Sequence, residues 1–225
     1  PRDVYRVTLA TGDGFTVQFD PTDPNLVYAT AQGGALARIR LDTNVIKLLA
    51  PSPREGEERL RFNWNAPYFV SPHDPSVLYM AGNRVFKLTD RGDRYFAISP
   101  DLSKNEPART ATVGSDAETY GTVVSLAESP LVKGMIWAGT DDGRVQVTRN
   151  DGQSWTEVTP KEVGGLYVSR IAPSRHAADT AYMTVDGHRS DVDRTIVLMT
   201  EDAGRTWKSI AGDLPPREPA EVVIE

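Results

Sequence analysis

Four segments of the chain share one grammar, and this repeat restricts the fold more than any single motif does. They read QFDPTDPNLVYAT (Gln18 to Thr30), FVSPHDPSVLYMAG (Phe69 to Gly82), LAESPLVKGMIWAGT (Leu126 to Thr140) and RIAPSRHAADTAYMT (Arg170 to Thr184). In each, an apolar stretch ends at a proline: Pro21, Pro72, Pro130 or Pro173. A polar turn follows, then a second apolar stretch with an aromatic: Tyr28, Tyr79, Trp137 or Tyr182. The proline-to-aromatic offset is 7, 7, 7 and 9, and the prolines recur at intervals of 51, 58 and 43 residues. Proline at a strand end fits, because it cannot donate to the ladder and it presets the turn.

A glycine-bearing turn and a third stretch come next: ALARIRL, RVFKLT, RVQVT and TIVLMT. RVFKL and RVQVT alternate as half-buried strands do. A tight turn leads to a fourth: VIKLLA, YFAIS, WTEVT and WKSIA. Helical periodicity is not evident. Four antiparallel strands repeated at this spacing predict an all-β fold, a β-propeller with blades at about residues 14–50, 62–98, 118–158 and 166–211.

The chain has 225 residues, room for one large all-β domain. Its net charge is -6 and its Lys and Arg residues form no run, which argues against nucleic acid as partner. The absence of cysteine excludes disulfides, thiol catalysis and Cys-ligated zinc. No stretch approaches the roughly 20 apolar residues of a membrane span. The opening PRDVYR and the closing alternation AEVVIE read as cuts. Residues 1–11 and 219–225 are therefore expected to be strands of adjoining blades, and the partner expected is the rest of the same propeller or another chain.

Between third and fourth strands lies an octapeptide. It reads TRNDGQSW from Thr148 to Trp155 and TEDAGRTW from Thr200 to Trp207. Asn150 or Asp202 can fold back onto turn N–H groups. Gly152 and Gly204 tolerate positive φ. Thr148 and Ser154, or Thr200 and Thr206, can hydrogen-bond across the turn. Trp155 and Trp207 can pack between sheets. The second blade has a worn copy, LTDRGDRY, with Asp90, Gly92 and Tyr95 in the key places. The first keeps only RLDTNVIKL. A catalytic group is not needed in graded copies on successive blades, whereas a structural turn can decay blade by blade. The octapeptide is expected to be structural.

These octapeptides resemble the Asp-box, or BNR repeat, Ser/Thr-x-Asp-x-Gly-x-Thr/Ser-Trp; the first copy departs by Asn150. The repeat marks propellers of sialidases, oligoxyloglucan-type hydrolases, sortilin-like receptors and a photosystem II assembly factor. The stretches from Arg61 to Leu102 and from Glu118 to Pro160 are similar to bacterial exported proteins related to the sortilin-type propeller, many of them labelled glycosyl hydrolases. The resemblance covers about residues 14–211 and implies an exported protein. It says little about activity, since function lives in sites carried by a fold.

In a propeller, the second-to-third strand loops and the blade-to-blade connections share one face. Candidate ligand-binding residues there are Asn63, Trp64 and Asn65, Glu118 and Tyr120, Asp142, and Asp186, His188 and Arg189. Trp64 between two asparagines offers a flat plate beside amide donors, suited to glycan or peptide, although a tryptophan beside a strand also serves as packing between blades. Glu118 with Tyr120 has the residue types of a sialidase pair; such an enzyme would also gather arginines, with Arg84, Arg144 and Arg189 as candidates. Asp141, Asp142, Asp186 and Asp191 are the carboxylates available for glycoside hydrolysis, and turn propensity alone also explains them. DGHRSDVDR, from Asp186 to Arg194, is an irregular insertion and a place for function. His73, His176 and His188 are the only histidines and lack ligand-pair spacing; no metal or cofactor is expected. His73, in a proline turn, is expected to be exposed.

Three functions follow. One is a non-catalytic interaction propeller that binds peptide, protein or glycan on its loop face. The second is a glycoside hydrolase of xyloglucanase or sialidase type. A scaffold that holds other domains is the third.

Overall fold

The short apolar runs, each closed by Pro, Gly, Asn or Asp, pair with their sequence neighbours. In the computed structural model, which describes residues 12–53, 55–110 and 119–218, they form four separate antiparallel sheets. The first holds β1 (Gly14–Asp20), β2 (Asp23–Ala31), β3 (Ala35–Arg40) and β4 (Val45–Leu48). The second holds β5 (Tyr68–Val70), β6 (Leu78–Ala81), β7 (Val85–Thr89) and β8 (Arg94–Ala97). The third holds β9 (Val123–Glu128), β10 (Ile136–Thr140), β11 (Val145–Thr148) and β12 (Thr156–Glu157). The fourth holds β13 (Tyr167–Pro173), β14 (Ala181–Asp186), β15 (Ile196–Thr200) and β16 (Lys208–Ser209). Strand order follows chain order in every sheet. This is a β-propeller of four blades, part of a ring. The segments 1–11 and 219–225, expected as strands of adjoining blades, lie outside the described residues.

The first strands β1, β5, β9 and β13 line a common axial groove. The fourth strands β4, β8, β12 and β16 are exposed and form the outer edge. Each blade packs its face on the next. Leu26, Tyr28, Leu36 and Leu49 of the first blade meet Tyr68, Leu78, Met80, Phe86 and Leu88 of the second. Met135, Trp137, Val145 and Val147 of the third meet Ile171, Met183, Val185 and Leu198 of the fourth. In the first three blades the recurrent aromatic of the second strand points forward: Tyr28, Tyr79 and Trp137 are all at most 1% exposed beneath the following blade.

The turns between third and fourth strands join neighbouring blades. Thr148 Oγ1 accepts the Gly152 N–H at 2.9 Å, and Asn150 Oδ1 accepts the Ser154 N–H at 3.0 Å. The second copy repeats this: Thr200 Oγ1 accepts the Gly204 N–H at 2.8 Å, and Asp202 Oδ1 accepts the Thr206 N–H at 2.8 Å. The indoles then reach back one blade. Trp155 Nε1 donates to Ile98 O at 2.8 Å, and Trp207 Nε1 donates to Val158 O at 2.9 Å. Trp207 also meets Trp137 edge-on, with centroids 6.2 Å apart. In the worn copy, Arg94 Nε takes the hydroxyl's place and donates to Asp90 Oδ2 at 2.7 Å. Gly92 lies against Leu49, at the end of the first blade's fourth strand.

His73 is half-buried rather than exposed, because its Nε2 sits 2.8 Å from Ser129 O of the third blade. The proline turn is thus tied down by its neighbour.

Gly152 has φ 85°. A Cβ there would lie 2.4 Å from Ile98 O, inside contact distance of backbone. Gly152→Ala should therefore lower unfolding free energy by roughly 2–4 kcal/mol, combining left-handed strain and steric displacement. Gly14→Ala, where nothing lies within 4 Å of the added Cβ, should change it by less than about 1 kcal/mol. Urea denaturation of both variants checks this; equal effects would refute the close-approach argument.

Candidate functional site

Antiparallel order puts the second-to-third strand loops and the blade connections at one end of every sheet, opposite the octapeptide turns. At that end the loops enclose a cleft of about 380 Å³. Asn63, Trp64 and Asn65 come from the β4–β5 connection. Arg109, Thr119 and Tyr120 come from the β8–β9 connection, Arg109 within the single helical turn α1 (Pro107–Thr110). Asp141 comes from the β10–β11 turn, and Gly165 and Tyr167 lead into β13. Asp186 ends β14, and Arg189 and Ser190 follow it.

Three aromatic rings and two guanidinium groups dominate the walls. Trp64 is half-buried, and its carbonyl accepts the Gly33 N–H at 3.1 Å, which fixes its backbone to the first blade. Asn63 Nδ2 donates to Thr122 Oγ1 at 3.2 Å, and Asn63 Oδ1 accepts the Asn65 N–H at 3.3 Å. The Arg109 guanidinium lies 3.9 Å from the centroid of the Tyr120 ring, and that of Arg189 lies 5.5 Å from the Tyr167 ring. Both are cation–π contacts. Burial raises the Tyr120 phenol to about 12, so it is a neutral donor at ordinary pH.

The floor is Asp141. Its Oδ1 accepts the N–H groups of Gly121 and Thr122 at 3.0 and 2.8 Å, and its Oδ2 accepts the Thr122 hydroxyl at 2.9 Å. Burial nevertheless pushes its carboxyl up to about 6, with the neighbouring Asp142 adding to the rise against those three donors. The loop that holds Asp141 is itself anchored. Arg61 donates to Gly121 O at 3.3 Å, to Asp101 Oδ2 at 2.6 Å and to Ser103 Oγ at 3.0 Å. Burial would raise the Asp101 carboxyl, but the donors of Ser103, Asn83 and Arg61 outweigh it and hold it below the usual range.

Of the residues expected to bind ligand, Asn63, Trp64, Asn65, Tyr120, Asp186 and Arg189 share this cleft. Asp142 does not. It is fully buried, its oxygens taken by the Lys104 N–H at 2.6 Å and the Thr140 hydroxyl at 2.5 Å, so it ties β10 to the β8–β9 connection. Asp141, one residue earlier, faces the cleft instead. His188 is exposed outside the lining and places Nδ1 2.5 Å from Asp186 Oδ2. Asp191 takes the left-handed position that ends the short turn after His188. Glu118 lies outside the described residues. The three arginines proposed to converge do not. Arg144 pairs with Glu157 of β12 at 2.5 Å and donates to Ser103 O, and Arg84 is not in the lining. Arg109 and Tyr167 were not foreseen, because neither sits in a motif and both are defined by stacking across the fold. Among the described residues no group of three or more metal-ligating side chains gathers, and no helix is long and apolar enough to cross a membrane.

No family model matches the chain. A curated relative, the oligoxyloglucan-reducing end-specific xyloglucanase of Emericella nidulans, is 23% identical over 215 residues, covering 92% of this chain and 25% of that enzyme. The GH74 xyloglucanase of Xanthomonas campestris superposes with a TM-score of 0.60 at 20% identity, over 91% of this chain and 31% of that one. The Dos1 propeller gives a TM-score of 0.60 at 12% identity, over 89% and 49%. The chain thus spans a quarter to a half of the proteins it is similar to, and what they share with it is the β-propeller fold.

The raised Asp141 carboxyl has a sign that can be tested. Between the unfolded value of 3.8 and about 6 the native state holds a proton that the unfolded chain has lost. Stability should fall across that window as pH rises, by at most roughly 3 kcal/mol from this group. Asp141→Asn should remove this component. Urea titrations at pH 4, 5, 6 and 7 would show wild type losing stability relative to the variant as pH rises; a pH-independent difference would refute the assignment.

Proposed function

We propose that this chain is the ligand-binding arc of an interaction propeller, holding a glycan or peptide chain across the loop-face cleft without cleaving it. The observation that carries this reading is the convergence of Trp64, Tyr120 and Tyr167 with the amides of Asn63 and Asn65 in one cleft. Flat apolar rings beside a few fixed polar groups are what an extended, polyhydroxylated or amide-bearing ligand needs. Asp141 and Asp186 already accept protein donors, which suits acceptors that orient a ligand.

The octapeptide turns serve, in this reading, as Asp-box fasteners of a sortilin-like, exported propeller. The ring is completed by further blades of the same polypeptide or by a partner chain. Support comes from the first blade: Val17, Phe19, Ile46 and Leu48 alternate onto the face turned away from the second blade and are 48–75% exposed. The first-strand counterparts of Val17 and Phe19 on the second blade, Tyr68 and Val70, pack instead into the core shared with the first.

One observation favours the second reading, a glycoside hydrolase. A carboxyl raised to about 6 in a cleft that also holds Asp186 has the character of a general acid. The likeness to xyloglucanases is compatible with it. A glycan array combined with a reducing-end assay on the full-length protein separates the two. Binding is expected without release of reducing ends. Trp64→Ala should weaken binding about tenfold or more. Turnover that disappears in Asp141→Asn and Asp186→Asn would replace the binding reading with the hydrolase.

A further inference from the structure

Beneath the cleft wall runs a chain of hydrogen bonds that begins at the Asp141 carboxyl and ends at two lining residues. Thr122 is its middle link and is fully buried. Its main chain is tied twice to Asp141: the Thr122 N–H donates to Asp141 Oδ1 at 2.8 Å, and the Asp141 N–H donates to Thr122 O at 3.0 Å. The Thr122 hydroxyl is thereby held in place. It faces Asp141 Oδ2 at 2.9 Å, Asn63 Nδ2 at 3.2 Å and Thr119 O at 3.4 Å. Asn63 and Thr119 line the cleft; Thr122 does not.

A hydroxyl has one proton to give and two lone pairs with which to accept, whereas an ionised carboxylate only accepts. With Asp141 ionised, the Thr122 proton is committed to Oδ2. The Thr122 oxygen then accepts from Asn63. The bonds run one way, from Asn63 to Thr122 to Asp141, and each polarises the next. The Asn63 amide is oriented independently, since its Oδ1 accepts the Asn65 N–H at 3.3 Å. Protonation of Asp141 reverses the inner link. Oδ1 is held by the backbone N–H groups of Gly121 and Thr122, which cannot turn. The proton therefore goes to Oδ2 and faces the Thr122 oxygen. Two donors cannot share that contact, so the Thr122 proton turns to Thr119 O, the other acceptor in reach. Asn63 then shares the Thr122 oxygen with a second donor and is held less firmly.

The surroundings suit such a change. Asp141 is half-buried and lines the cleft, so it exchanges protons with whatever fills it. Among the described residues no cation pairs with it. The charged groups nearby are otherwise engaged. Arg61 pairs with Asp101 and Arg144 with Glu157, and the Lys104 ammonium lies beside Gly165. Arg109 stacks on Tyr120 and meets Glu106 at 3.6 Å; Arg189 stacks on Tyr167; Asp186 faces His188. Asp142, in the same turn, is buried and bonded to the Lys104 N–H and the Thr140 hydroxyl. Burial first, and the charge of Asp142 after it, favour the protonated carboxyl.

We propose that Thr122 is a proton-responsive relay: protonation of Asp141 on the cleft floor reverses the Thr122 hydroxyl and loosens the Asn63 amide on the cleft wall. The relay stands by itself. Its use, a grip on ligand that varies with pH, rests on the loop-face cleft being the binding site.

Nuclear magnetic resonance of the full chain, with no ligand added, tests this. The side-chain carboxyl carbon of Asp141 and the side-chain NH2 of Asn63 are followed from about pH 4 to about pH 8. Both should move with one midpoint, near the Asp141 value of about 6. In Thr122→Val the hydroxyl is gone: Asn63 should stop following, while Asp141 still titrates with its midpoint moved up, because a donor to the ionised form is lost. Thr122→Ser should keep the coupling, and Asp141→Asn should abolish the Asn63 titration. His188→Gln, which removes the imidazole facing Asp186, should leave the coupling in place. The relay is overturned by an Asn63 signal that does not share the Asp141 midpoint, that is lost in His188→Gln, or that still follows Asp141 in Thr122→Val. The wild-type midpoints and Asp141→Asn keep it open to refutation should the valine variant not fold. Ligand binding enters none of these measurements, so failure of the relay and failure of the cleft as a binding site are read separately.

Discussion

The contact on which the rest depends is the one between a turn and the blade before it. Four separate sheets share no backbone ladder, so nothing in the secondary structure holds one blade to the next. Side-chain cores and the returning turns do so. Ile98 O both accepts the Trp155 indole and forms the surface against which Gly152 closes. Val158 O accepts Trp207 in the same way, while Gly204 closes on the Val158 side chain. Each turn thus needs a glycine for approach and an indole for reach, and each carbonyl that would be orphaned at the outer strand end gains a donor. The blade angle is set there, and with it the position of every loop at the other end.

That division leaves the loop face free to vary. Yet the cleft is not a set of loose tips. Arg61, from the β4–β5 connection, reaches Gly121 O, Asp101 and Ser103 in the β8–β9 connection. Gly121 and Thr122 in turn hold Asp141 from the third blade. A mostly buried ion pair is weak evidence for stability by itself, because desolvation opposes it. Here it connects two blade linkers and a hairpin, so its effect is to fix geometry under the cleft.

The fold was legible because its signals are local and repeated. Prolines at strand ends, an aromatic at a constant offset and a Gly–Trp turn each follow from backbone constraints that neighbours in sequence can express. The end of the sheets at which the cleft opens was legible too, since antiparallel order alone assigns Trp64, Tyr120, Asp186 and Arg189 to one end. What was not legible depends on side-chain direction. Asp141 and Asp142 are adjacent in one turn, and a single residue decides which faces the cleft and which is buried. Arg144 belongs to the strand that follows and pairs outward with Glu157, so its charge does not enter the site. Arg109 joins the site only because Tyr120 lies within stacking distance, a contact made across a connection with no motif.

Asp141 and Asp202 show why hydrogen bonding alone does not identify a functional acid. Both sit in turns, and both accept a hydroxyl and backbone N–H groups. Asp202 is held down at about 2, first by the Thr206 hydroxyl and then by backbone donors, in a turn open to solvent. Asp141 has a comparable set of donors and moves the other way, to about 6, because burial outweighs them. The donors orient the carboxyl in each case; desolvation decides its charge. A turn on the fastening rim keeps its aspartate ionised and holds the blade together. A turn at the cleft floor, roofed by neighbouring connections, makes the same residue type responsive to what enters the cleft. The difference lies in which end of the sheet the turn occupies, and that is fixed by strand order before any particular side chain is considered.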